Sequence, residues 1–144
     1  MTMTVAHAED ARARQNYLVQ CAGCHGEGGH GLEGHVPSMH GTFAIFAQQP
    51  EGRAYLLRVP GVTQSTLEPK LLAEVMNWAL KEFSTPAQAS AARPFTAAEI
   101  AAARAEPLLE VNATRISLLE RLEQESPRAA TQPTPSAGTP PDPR

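Results

Sequence analysis

Seven of the chain's ten glycines fall between Gly23 and Gly41, and the only two cysteines stand at the start of that stretch, in the run Cys21-Ala22-Gly23-Cys24-His25. A segment so rich in glycine loses too much backbone entropy on ordering to form regular structure, so it must be an irregular loop held by rigid elements on either side. The 144 residues are one domain's worth of chain with room for modest extensions. All seven aromatics lie between Tyr17 and Phe95. That is thin filler for a core, and it points to a domain whose centre is completed by something other than side chains.

The flanking periodicity is helical. Ala13, Tyr17 and Cys21 recur every four residues and share one face of a helix over 10–21. Leu72, Val75, Met76, Ala79 and Phe83 form an apolar stripe that predicts a helix over 66–83, with Pro69 tolerated in its first turn. Residues 42–49 and 51–59 are two short elements, ended by Pro50 and by the turn pair Pro60-Gly61. Thr96 with Glu99 spells a capping box that opens a helix toward Arg104. Pro107 starts a last helix, with Leu108, Val111, Ile116, Leu119 and Leu122 as its apolar members. Neither strand-like alternation nor an internal repeat stands out, so the fold class is all-α.

The two ends read differently. Residues 126–144 carry six prolines among small residues and predict a disordered, partly polyproline-like tail. Ala6-His7-Ala8 has the small-x-small pattern of a signal-peptidase site, which makes 1–8 the remnant of a trimmed signal peptide. A net charge of -3, with ten Arg and two Lys scattered along the chain, excludes a nucleic-acid binder. No apolar run reaches 18 residues, so no membrane span is expected.

Cys-x-x-Cys-His is the attachment signature of c-type haem. Two thiols three residues apart on a helical turn can each add to one vinyl group of the porphyrin, and the next residue, His25, is thereby aimed at the iron as proximal ligand. Three other uses of these residues compete. A thioredoxin-like dithiol wants its cysteines at the end of a strand, and no strand is predicted. A zinc site would join Cys21 and Cys24 to two of His30, His35 and His40, a spacing that fits no familiar zinc template. A structural disulfide across so short a turn is sterically poor.

With these residues in view, 10–83 resembles the class I, mitochondrial-type c-type cytochromes of bacteria. Tyr17 lies where the family packs an aromatic of its first helix on its last, and Ala13 matches the small residue that lets those helices cross closely. Pro37, in Val36-Pro37-Ser38-Met39-His40-Gly41, matches a proline whose carbonyl accepts a hydrogen bond from the proximal imidazole. The helix carrying Trp78 looks like the family's final helix. The resemblance implies a cytochrome c domain over 9–84 and an added C-terminal helical extension over 85–125, with Phe95 as its tether. It implies one covalent haem c, held by Cys21 and Cys24 and ligated by His25. Arg53, Tyr55 and Arg58 fall where the family wraps the haem edge, and Arg53 is the candidate to hold a propionate.

The sequence departs from the family where the sixth ligand is expected. The loop before the final helix contains no Met, and Val59-Pro60 stands where Met-Pro belongs. Met39 is the leading substitute, reached through a rearranged loop; otherwise it packs against the porphyrin. Met76, His30, His35, His40 and an empty sixth site are the alternatives.

One haem moves one electron at a time. The resemblance therefore implies a non-enzymatic periplasmic carrier between a dehydrogenase donor and an oxidase or reductase acceptor, docking transiently through apolar surface and a few Arg. Two alternatives are a haem protein whose open sixth site takes CO, NO or peroxide, and the electron-transfer subunit of a larger dehydrogenase.

Overall fold

A computed structural model describes residues 2–130, with side chains from 6 to 125. It is all-α. Nine helices run through the described residues: α1 (Thr2–Gln20), α2 (Ala22–His25), α3 (Phe43–Gln48), α4 (Pro50–Arg58), α5 (Pro60–Thr63), α6 (Pro69–Glu82), α7 (Pro86–Ala91), α8 (Ala97–Ala103) and α9 (Val111–Ala130). The described residues contain no strand, only one isolated antiparallel bridge between Leu32 and Val36. None of these helices is long and apolar enough to cross a membrane.

The chain divides into two units at Val111. The first is organised by the crossing of α1 and α6. The four-residue spacing of α1 buries Ala13 and Tyr17 at 1% and 0% exposure, and Ala13 is small enough to let the helices approach. α6 presents Leu72, Val75, Met76 and Ala79 to the same core, as its stripe predicts, and Trp78 and Leu80 are buried too. Two ion pairs reinforce the crossing, from Arg12 to Glu74 at 2.8 Å and from Lys81 to Asp10 at 2.6 Å. Both are partly exposed and contribute little beyond register.

A second layer packs α3 against α4 and brings α7 and α8 over α3, α4 and α6. Gly52 permits the first contact, because a Cβ there would lie 2.6 Å from the Phe46 carbonyl. Phe95 is buried and stacks on Phe43 at 6.1 Å, and Ile100 is fully buried. Asn77 closes the joint by pairing with the Phe95 backbone in both directions, Nδ2 to the carbonyl at 2.9 Å and Oδ1 from the amide at 2.7 Å. The Thr96–Glu99 capping box forms as expected at the start of α8.

Several expectations are corrected. The last helix starts at Val111 and not at Pro107, because the Leu108 amide is turned away to the Arg58 carbonyl, 2.9 Å distant. Its buried residue is Leu118, whereas Ile116 is 56% exposed. α9 also continues through Pro127 to Ala130, five residues into the segment read as tail; the rest of that tail, 131–144, lies outside the described residues. Residues 2–8 are helical and run into the rest of α1 without a break. α7 was not anticipated, although Thr85 and Gln88 form a second capping box around Pro86.

Candidate functional site

The Cys-x-x-Cys-His run occupies the last turn of the first helical arm. α1 ends at Gln20, Cys21 departs from helical geometry at φ -122°, and α2 then places Cys24 and His25 one turn on. The turn is tied back by bonds from the Cys21 amide to the Tyr17 carbonyl at 2.8 Å and from the His25 amide to the Cys21 carbonyl at 3.0 Å. Tyr17 lies beneath this turn. Its ring packs on Trp78 of α6 and on Phe83 at that helix's C-cap, with centroids at 5.1 and 5.4 Å, and its hydroxyl donates to the Gly26 carbonyl at 2.7 Å. Burial, with some contribution from nearby Cys21, pushes the phenol up to about 12, so it remains a donor at any ordinary pH.

The glycine-rich segment folds back on this turn. The Gly31 amide donates to the His25 carbonyl at 2.8 Å, and the Met39 amide donates to the Gly29 carbonyl at 2.9 Å. Two positions require glycine. Gly29, at φ +69°, would set a Cβ 2.9 Å from the Phe83 ring, and Gly31, at φ +74°, would set one 2.2 Å from the Val36 carbonyl and 2.8 Å from that of Pro37. Pro37 and Met39 are thus fastened to the same loop as His25.

The donor set distinguishes among the possible cofactors. Cys21 and Cys24 are both free thiols, half-buried and exposed respectively. Burial pushes the Cys21 thiol up, and neighbouring Cys24 adds to the effect. Burial pushes His25 down, so its ring is neutral and has a lone pair to give. His25 Nδ1 is buried without a partner among the described residues, so the Pro37 carbonyl bond implied by the resemblance is not made. Among the described residues no three His, Cys, Asp or Glu side chains gather to hold a metal ion, which removes the zinc arrangement with His30, His35 and His40. Those three serve the loop instead. His30 and His40 stack at 4.6 Å, His40 Nε2 bonds the Gly28 carbonyl at 2.7 Å, and His35 Nδ1 bonds the Glu33 carbonyl at 3.1 Å. A half-buried and an exposed thiol beside an imidazole whose Nδ1 is unpartnered fit a covalently attached porphyrin.

The other sequence candidates lie elsewhere. Met76 is buried in the core stripe of α6. Arg53 is 5% exposed, and all five of its N–H groups are engaged: Nε and Nη2 with the Glu99 carboxylate at 2.8 and 2.9 Å, and the rest with the carbonyls of Ala47, Arg93 and Pro94. Its guanidinium also lies 4.2 Å over the Phe95 ring. No donor is left for a propionate, so in this arrangement Arg53 fastens α4 to α8. Composition concealed this, since Glu99 was already committed to its capping box. Arg104 was read only as the end of a helix, yet it reaches the carbonyls of Ser65 and Leu67, and its Nε is buried without a partner.

An all-α unit that carries Cys21, Cys24 and His25 on one turn has the donor set that a covalently bound haem requires. Over 124 residues, 74% of this chain and 81% of the relative, the sequence is 28% identical to cytochrome c-552 of Thermus thermophilus, a likeness that supports a c-type cytochrome. No protein-family model and no solved structure matches the chain.

Proposed function

We propose that this chain is a periplasmic monohaem c-type cytochrome that carries single electrons between a dehydrogenase and an oxidase or reductase. The observation that carries the reading is the Cys21, Cys24 and His25 turn, with both thiols free and His25 Nδ1 buried without a partner among the described residues. Residues 9–84 form the haem domain and 85–125 its extension, with 1–8 as the remnant of an export leader. Cys21 and Cys24 each add an S–H bond across one vinyl group, sulfur to one carbon and hydrogen to the next, which consumes no oxidant. The bound haem supplies the one-electron iron couple. His25 would hold the iron, with Pro37 and Met39 fastened in the same loop.

A second reading is favoured by one observation. The Met39 amide is bonded within the His25 loop, and the segment over 59–68 has neither Met nor His. Unless the loop opens to let Met39 cross over, the sixth position has no protein ligand, and CO, NO or peroxide would bind there.

Optical spectra of the haem-loaded protein, oxidised, reduced and reduced under CO, test both readings. A carrier with a thioether ligand shows a far-red sulfur-to-iron band and no response to CO, and Met39→Ala removes the band. A high-spin spectrum that CO shifts at once supports the open site, and absence of covalent haem contradicts both.

A further inference from the structure

The chain has three asparagines, and their surroundings differ. Asn16 is half-buried on α1, and Asn77 spends both ends of its carboxamide on the Phe95 backbone. Asn112 is exposed in the first turn of α9, and its carboxamide makes no hydrogen bond among the described residues. It is also the one asparagine with a hydroxyl two residues later, in the run Glu110-Val111-Asn112-Ala113-Thr114. Asn-x-Ser/Thr, with x other than proline, is the acceptor signature of N-linked glycosylation. Glu110, two residues before, supplies the acidic side chain that bacterial oligosaccharyltransferases read as well.

The fold leaves this run open to an enzyme. The chain is outside any helix from Arg104 to Glu110, and its second compact unit begins at Asn112. The first amides of a helix have no intrahelical acceptor, so its opening turn unwinds at small cost. That unwinding is needed, because side chains two apart on a helix point to different sides, and Asn112 is exposed where Thr114 is half-buried. Ile116 lies one turn after Asn112 on the same side of α9 and is 56% exposed. Leu109, three residues before Asn112 in the chain, is 87% exposed. Sugar rings carry C–H faces that pack on aliphatic side chains, and Ile116 is placed to receive the first of them.

We propose that Asn112 is a modification site, the acceptor of one N-linked glycan whose first sugars lie over Ile116. The donor class is a polyprenyl-diphosphate-linked oligosaccharide. In the transfer, Asn112 Nδ2 forms a bond to C1 of the first sugar as the C1–O bond to the diphosphate breaks. The diphosphate leaves with that electron pair, a carboxylate of the transferase takes the Nδ2 proton, and nothing is oxidised or reduced. The proposal takes its cellular setting from the periplasmic reading above and needs no haem.

The test incubates the purified full-length chain, loaded with haem, with a bacterial oligosaccharyltransferase and its polyprenyl-diphosphate oligosaccharide, beside an acceptor protein that the same enzyme glycosylates. The tryptic peptide over 105–115 is expected to gain the mass of one glycan in the wild type and in Thr114→Ser. The gain is lost in Asn112→Gln and in Thr114→Val, two exposed or half-buried positions whose replacement leaves the core untouched. Ile116 in the glycosylated chain loses reactivity toward hydroxyl radicals relative to Asn112→Gln. A wild-type 105–115 peptide of unmodified mass, while the control acceptor is glycosylated, would overturn the site. A glycan that persists in Asn112→Gln would overturn it too. Haem is read on the separate peptide that holds Cys21 and Cys24, and the compartment by cell fractionation, so either part of the functional reading can fail without altering this result.

Discussion

Tyr17 does two jobs with one side chain: its ring fills the crossing of α1 and α6, and its hydroxyl holds the Gly26 carbonyl at the exit of the Cys21–His25 turn. Tyr17→Phe retains the first and removes the second, leaving a half-buried carbonyl unpaired. The expected cost is about 1 kcal/mol of unfolding free energy, measured by denaturant titration of the haem-loaded protein. Gly31→Ala is harsher, because the new Cβ meets backbone at 2.2 Å in a left-handed conformation. A loss of about 2 kcal/mol or more is expected, together with lowered haem incorporation as the loop moves. Both residues were legible in the sequence, Tyr17 through its spacing from Cys21 and Gly31 as one of the clustered glycines. Arg53 was not. A buried arginine is identified by the carbonyls it bonds, and those of Arg93 and Pro94 lie some forty residues downstream.

Among the elements, local signals carried furthest. The α6 stripe and the Thr96–Glu99 capping box are written within a few residues, and both appear as expected. The Thr85–Gln88 box obeys the same rule, and its signal, Thr85 followed by Pro86, was present but not read. The start of α9 was illegible, because it is set by a bond from Leu108 to Arg58, fifty residues away. The joint between α6 and α8 makes two predictions. Asn77→Ala strips both polar groups of Phe95 of their partner and is expected to cost about 2 kcal/mol, read as a shift of the denaturation midpoint at unchanged slope. Glu99 is held at about 2, below its usual 4.5, chiefly by its bond to the Arg53 guanidinium. A lowered carboxylate pKa stabilises the fold fully above pH 4.5, and that stability is lost as pH falls from there through about 2. A contribution on the order of 2 kcal/mol is expected to disappear across that window in the wild type and to be absent from it in Glu99→Gln.

At the scale of the whole molecule, a net charge of -3 with only two lysines leaves no dense cationic face. Encounter with a redox partner is therefore expected to depend weakly on salt, changing only a few-fold between low and physiological ionic strength in stopped-flow electron transfer. Five of the seven aromatics gather around α6 and the cysteine turn or stack at the Phe43–Phe95 joint. The central claim is that Cys21 and Cys24 carry haem. The measurement that tests it most directly is the intact mass of the chain under denaturing conditions after expression with a haem-attachment system. The prediction is a mass raised by one haem, which survives denaturation in the wild type and is lost from a Cys21→Ala, Cys24→Ala double variant. A wild-type chain of unmodified mass would contradict it.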